Sequence, residues 1–171
     1  LHTAVNFSNR KAAFRAGLTA RNFGDIVGGD TTGRQAPSGY QELDYDIKGK
    51  IFLSESSVLS IAYQSIHQSN VPVYHKITLE DYAINKVDPQ KRKLAYIRLN
   101  QKLNKGILKS ATFTASFQHS VEGRENCKNG SSSLRYENDK VQTIGFSSEA
   151  FMSGKKIWSA SSGLELYNDL V

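Results

Sequence analysis

The stretch Glu42-Leu43-Asp44-Tyr45-Asp46-Ile47-Lys48-Gly49-Lys50-Ile51-Phe52-Leu53 alternates apolar and charged residues almost without exception. Successive side chains of a β-strand point to opposite faces. As a strand, this stretch places Leu43, Tyr45, Ile47, Gly49, Ile51 and Leu53 on one face, and Glu42, Asp44, Asp46, Lys48 and Lys50 on the other. A helix would mix the two sets around its circumference. A sheet built this way faces lipid on one side and water on the other.

The same period recurs along the chain. Phe14, Ala16, Leu18 and Ala20 alternate with Arg15, Gly17, Thr19 and Arg21, and Ala111, Phe113, Ala115 and Phe117 alternate with Ser110, Thr112, Thr114 and Ser116. Trp158, Ala160, Leu164 and Leu166 share a face of the last segment, against Ser159, Ser161, Gly163 and Glu165. No window has the i, i+3, i+4, i+7 spacing of an amphipathic helix, so the pattern predicts an all-β chain.

Composition narrows the class. Hydrophobic content is 39% over 171 residues and the mean hydropathy is -0.46, which is poor for a compact all-β core. There is no apolar run long enough for a transmembrane helix and no signal-peptide pattern at the start. Neither absence bears on a membrane crossed by strands, because a barrel strand needs only about 9 to 11 residues of alternating character. The chain starts without Met and stops just after a strand, and is expected to be a piece of something larger.

Breakers then set the topology. Strands are expected at 11–22, 40–53, 58–68, 92–103, 108–121, 140–150 and 156–167, an antiparallel up-and-down meander of about seven strands. Three connections are tight: Ser54 to Ser57, Asn104 to Ile107 and Met152 to Lys155. Three are long: Phe23 to Gly39, Ser69 to Lys91 and Glu122 to Asp139, and Pro37, Pro72 and Pro89 all lie in them. Short turns at one end and long loops at the other are the form of an outer-membrane barrel.

Several stretches carry a family resemblance. Gly17-Leu18-Thr19-Ala20-Arg21-Asn22-Phe23-Gly24-Asp25-Ile26-Val27-Gly28-Gly29, then Pro37-Ser38-Gly39-Tyr40, Val71-Pro72-Val73-Tyr74-His75-Lys76, Asp88-Pro89-Gln90-Lys91-Arg92 and Gly163-Leu164-Glu165-Leu166-Tyr167-Asn168-Asp169 together resemble the barrel of TonB-dependent outer-membrane receptors. The nearest branch is that of haemoglobin, transferrin and lactoferrin receptors of Bacteroidetes-like bacteria. The resemblance covers nearly the whole chain through soft barrel motifs, none of them catalytic. It implies that residues 1–171 are part of a transmembrane barrel of about 22 strands, in the bacterial outer membrane, with the N-terminal plug domain and the remaining strands absent. It implies active uptake of an iron complex (siderophore or haem) or another scarce nutrient, driven by the TonB-ExbB-ExbD system acting through the plug, with no enzymatic activity and no cofactor of its own.

On that reading Arg15, Arg21, Glu42, Asp44, Asp46 and Lys48, with Lys50, Arg98 and Glu149, face the lumen or the plug, since charges on the lipid side are costly. The alternative is that they are simply solvated. The aromatics Tyr40, Tyr45, Phe52, Tyr63, Tyr96, Phe146, Phe151 and Trp158 form interfacial girdles, or core in a soluble sandwich. Outer-loop candidates for ligand binding are Tyr74, His75, Arg34 and Arg124. His75, and less so His67, His119 and His2, are the residues a haem iron would engage, but the Phe-Arg-Ala-Pro and Asn-Pro-Asn-Leu loop motif of haem receptors has no counterpart here.

Other chemistry is thin. Cys127 is the single cysteine, which excludes a disulfide framework or a paired-cysteine metal site within the chain. Gly24 to Gly33 is glycine-rich without the spacing of a phosphate loop. The net charge of +6 raises nucleic acid as a partner, but basic and acidic residues are interspersed and no aromatic-basic stacking motif is present, so none is expected. Basic residues at strand ends suit lipopolysaccharide phosphates instead. Two other classes remain open: a barrel hydrolase, for which His119 and the loop acid Glu122 are the only hint, and a soluble secreted β-sandwich that binds a ligand and folds alone.

Overall fold

The computed structural model describes residues 1–29, 31–154 and 158–171. Eight long strands form one antiparallel meander: β1 (His2–Ser8), β2 (Ala12–Phe23), β5 (Tyr40–Phe52), β6 (Ser57–Ser69), β8 (Tyr82–Lys105), β9 (Leu108–Lys128), β10 (Arg135–Gly154) and β11 (Trp158–Leu170). Between them lie a small hairpin of β3 (Ile26–Val27) and β4 (Arg34–Gln35), the short β7 (Val71–Pro72), which pairs with β8, and one helix, α1 (Tyr74–Leu79). The chain is therefore all-β and antiparallel. The sheet is open: β1 and β11 are its end strands, each paired on one side only.

Each of the seven expected strands is present, with three differences. Strand β1 was not anticipated, although Thr3, Val5 and Phe7 alternate in it and pair with Leu18, Ala16 and Phe14. The expected long loops at 69–91 and 122–139 are mostly strand, because β8, β9 and β10 run on past the apolar alternation as two-sided polar ribbons. Their backbone hydrogen bonds persist there, while the hydrophobic period that reveals a strand does not. The expected turn at Met152 to Lys155 is strand as far as Gly154, and Lys155 lies outside the described residues.

Two prolines thus sit in strands rather than loops. Pro72 ends β7, and Pro89 lies within β8 at a bulge where Val87 faces Arg124 and Gln90 faces Glu122. Asp88 and Pro89 together oppose Gly123, the residue with no side chain to meet them: a Cβ on Gly123 would stand 2.4 Å from the Asp88 carbonyl oxygen. Proline at a bulge costs no ladder hydrogen bond.

Helix α1 is too short to show a period. It is bracketed by Asn70 and Asp81, both in the left-handed region with φ of 52° and 61°, a conformation these two residue types tolerate. The glycine-rich stretch contributes β3, which pairs with β4 as a hairpin.

The cross-strand register fixes both faces of the sheet. Ile47 stands in a row with Tyr63, Ala95, Phe117 and Ile144, and the next row holds Gly49, Ile61, Ile97, Ala115, Phe146 and Leu166. The opposite face carries Asp46, Gln64, Gln118 and Thr143 in one row, with Leu94 among them.

Burial is inverted relative to a soluble domain. Ile47, Ile61 and Ile97 are 45%, 48% and 44% exposed, while the side chains of Glu42 and Asp44 are 9% and 22% exposed. Ala62 is the only buried hydrophobic residue among those described, and Ser60 and Ser65 are buried beside it. A soluble protein buries its large aliphatics and hydrates its carboxylates. Here no second sheet covers the apolar face, which extends across all eight strands, far beyond the patch sizes soluble monomers expose.

Candidate functional site

The polar face is the part of the fold that concentrates chemistry, and strand register decides which groups meet on it. Arg21 lies opposite Glu42, and Arg15 opposite Lys48. The Arg21 guanidinium donates to Glu42 and, at 2.7 Å, to Asp44; Gln68 of β6 donates to the other Glu42 oxygen at 2.6 Å. Arg15 stands 3.9 Å from Asp46. Gly17, directly opposite Asp46, leaves the room this carboxylate occupies: a Cβ there would come within 2.6 Å of its Oδ1. In the β2–β5 half of the wall Arg15 and Arg21 thus pair with Glu42, Asp44 and Asp46, while Lys48 and Lys50 have no carboxylate partner among the described residues.

The β8–β11 half is different. Arg92 donates to the Gln118 amide oxygen at 3.0 and 2.7 Å, and Arg98 donates to the Thr114 hydroxyl at 3.1 Å and lies 5.6 Å over the Tyr96 ring. Both cations are held by neutral acceptors. With Ser116, Glu149, Glu165 and Tyr167 they line an open recess of about 400 Å³. Tyr167 lies across Gly145, whose Cβ would clash with the ring at 2.6 Å, so the glycine sets where this phenol sits on the wall.

Every residue assigned to the lumen (Arg15, Arg21, Glu42, Asp44, Asp46, Lys48, and also Lys50, Arg98 and Glu149) shares this one face by register. The register also adds Gln68, Arg92, Tyr96, Thr114 and Gln118. Strand alternation signals Thr114, but the partners of Arg92 and Gln68 follow only from which strand lies beside which. Asp44 Oδ1 is buried with no hydrogen-bond partner.

The aromatics divide between the faces. Tyr45, Tyr63, Phe146 and Trp158 lie on the apolar face as girdle residues would, and Tyr40, Phe52, Tyr96 and Phe151 lie on the polar one. Tyr40 stacks on Phe23 at 4.5 Å where β2 and β5 enter their loop.

The outer-loop candidates are not brought to one point. Arg34 is on β4, Tyr74 and His75 open α1 rather than lying in a loop, and Arg124 is on β9. All four are at the end of the sheet with the long connections. Arg34 is tied to Asp25 at 2.8 Å, and Arg124 to Glu122 at 2.6 Å and Asp139 at 3.8 Å. Cations with carboxylates already in place are weak anion receptors. Cys127 is also in β9, 3.4 Å from the Ser131 carbonyl oxygen. The hydrolase hint disappears: Glu122 is in β9, not a loop, and three residues from His119 along a strand it lies on the opposite face. Among the described residues no group of three His, Cys, Asp or Glu is placed to hold a metal ion.

One loop device is well defined. Asp25 Oδ1 accepts from the backbone N–H of Ser38 at 2.8 Å and of Gly39 at 3.0 Å, and Oδ2 accepts from Arg34. The two backbone donors, then Arg34, hold the Asp25 carboxyl below its ordinary value of 3.8. A lowered value in the folded loop means this contribution is complete above pH 3.8 and is lost as pH falls through the lowered value. Asp25→Asn is expected to unclasp residues 24–39 at neutral pH and to expose Arg34 to trypsin, seen as faster cleavage after Arg34. Unchanged cleavage would show that the clasp does not hold the loop.

Compared with protein-family models, with curated proteins and with solved structures, the chain finds no match in any of the three.

Proposed function

We propose that this chain is part of the wall of an outer-membrane β-barrel that takes up a scarce nutrient, of the kind TonB-dependent receptors import. The observation that carries the reading is the inverted burial: large aliphatic and aromatic side chains stand exposed on one face, while the carboxylates of Glu42 and Asp44 are shielded on the other. From Leu43 to Leu53 the apolar face of β5 runs about 34 Å along the strand, or about 26 Å across a membrane at a tilt of about 40°, close to the roughly 25 Å band of such barrels. The unpaired edges of β1 and β11 support the same reading, because further strands of a larger barrel would satisfy them. The two long connections, between β2 and β5 and between β6 and β8, lie at one end of the sheet and short turns at the other, as outer loops and periplasmic turns do.

Transport follows from the wall. A nutrient caught by the outer loops passes along the polar face, where a ladder of charges and hydroxyls replaces its hydration without holding it as a single strong site would. The energy comes from TonB-ExbB-ExbD through the plug, and an iron complex is the cargo the resemblance favours. The soluble sandwich has no observation in its favour, since it needs a second sheet over the apolar face.

Fractionated membranes of the source cell, probed with an antibody to residues 129–134, test the reading. A heat-modifiable outer-membrane band well above 19.0 kDa, surface-exposed at that loop, is expected. A soluble band near 19.0 kDa would overturn it.

A further inference from the structure

The polar face of β8 to β11 separates its charges by sign. Arg98 of β8 starts a row that runs through Thr114 and Ser147 to Glu165 of β11. Arg92 lies further outward on the same face of β8, and Glu149 lies opposite Thr112 and Gly163 in the next row toward the short turns. Between them, from Thr112 to Ser120, β9 puts only hydroxyls and Gln118 on this face. The recess of about 400 Å³ therefore has a cationic rim on β8, a carboxylate rim on β10 and β11, and a neutral floor.

Neither rim is answered from within the sheet. Arg92 and Arg98 donate to the neutral Gln118 and Thr114, and among the described residues Glu149 and Glu165 have no cation within salt-bridge distance. Three strand spacings separate Arg98 from Glu165, about 14 Å between backbones. An anion drawn to Arg98 is repelled by the far rim, a cation drawn to Glu165 is repelled by the near one, and an uncharged molecule leaves both unanswered. The matching ligand has a carboxylate at one end, an ammonium at the other, and groups between them that donate and accept hydrogen bonds, as the floor hydroxyls of Thr114, Ser116 and Ser147 do. An extended peptide spans about 3.3–3.6 Å per residue, so three residues cover about 10 Å and the side chains of Arg98 and Glu165 close the rest.

We infer that this recess takes a short linear peptide with free termini, its carboxylate on Arg92 and Arg98 and its ammonium on Glu149 and Glu165. Tyr96 and Tyr167, at the two ends of the adjoining row, flank the peptide's side chains. The inference rests on the uptake-barrel reading, which makes this face the lumen, and it adds peptides to the nutrients that reading admits.

The test uses the full receptor purified from membranes and placed in phosphatidylcholine nanodiscs, with peptide binding read by saturation-transfer NMR titration. Trialanine is expected to bind about tenfold more tightly than N-acetyl-trialanine or trialanine amide, since each capped form forfeits the ion pairs of one rim. Exposed ion pairs are individually weak, so the rims are neutralised two charges at a time. Arg92→Gln with Arg98→Gln is expected to abolish the preference for trialanine over its amide and to keep the preference over the acetylated form. Glu149→Gln with Glu165→Gln is expected to do the reverse. Equal binding of the three peptides by the wild type, or loss of both preferences together in either variant, would overturn the site while leaving the barrel reading intact. Wild-type receptor that does not enter nanodiscs at all would overturn the barrel reading and the site together.

Discussion

Replacing Ile97 by lysine is expected to prevent stable assembly in the membrane. Ile97 stands between Ile61 and Ala115 in the central row of the apolar face and is 44% exposed. In water a residue this exposed tolerates lysine within about 0.5 kcal/mol. Facing lipid at mid-depth, the same change costs about 2–4 kcal/mol. The contrast makes the substitution a probe of the solvent as well as of stability. Thr112→Lys, on the polar face of β9 opposite Glu149, supplies the control and is expected to assemble normally. Heat-modifiable protein recovered from outer membranes is the readout, and equal recovery of the two variants would mean that the apolar face does not contact lipid.

The second large effect is expected at Gly123. Its missing Cβ is the space into which the Asp88–Pro89 bulge of β8 turns, with the Asp88 carbonyl oxygen 2.4 Å and the Pro89 ring 3.0 Å from where that atom would be. Backbone cannot give way as a side chain does, so Gly123→Ala is expected to destabilise the outer β8–β9 ribbon by about 1–3 kcal/mol. Hydrogen exchange at residues 84–90 should quicken accordingly. Gly49→Ala is the comparison: it lies in the same sheet with nothing within 4 Å of the new atom, and is expected to be close to neutral. If the two substitutions behaved alike, the bulge would not depend on close approach of the backbone.

How far the sequence reveals this molecule depends on what each level of structure leaves in the residue order. The alternation from Glu42 to Leu53 reveals a strand and its two faces because each side chain reports its own environment. Strand β1 carries the same signal in Thr3, Val5 and Phe7, but over too few residues to stand out before Asn9-Arg10-Lys11. The outer parts of β8, β9 and β10 are illegible for a physical reason. With water on both sides, Glu122 to Lys128 needs no apolar period, and only backbone pairing to β8 and β10 makes it strand. Helix α1 is shorter than two turns and leaves no period at all.

The wall residues follow the same rule. Arg21, Glu42 and Asp44 can be assigned to one face from local alternation, but their mutual contacts need β2 beside β5 in a definite register. Arg92 and Gln118 meet for the same reason, 26 positions apart. Arg34 and Arg124 read as ligand cations only while their partners are out of view. Asp25 is nine positions from Arg34 and Glu122 two from Arg124, yet only folding of the β3–β4 hairpin and extension of β9 bring each pair of charges together.

One face of this sheet is expected to meet lipid and the other water. Nitroxide labels placed singly at positions 113 to 118 of β9, in the full receptor with Cys127→Ser and reconstituted in bilayers, test it most directly. Collision with oxygen, which concentrates in lipid, and with a water-soluble nickel chelate is measured at each site. Both accessibilities are expected to oscillate with a period of two and in opposite phase: oxygen high at 113, 115 and 117, and the chelate high at 114, 116 and 118. Phe113, Ala115 and Phe117 shielded from both reagents, as in a packed core, or open to the chelate, would contradict it.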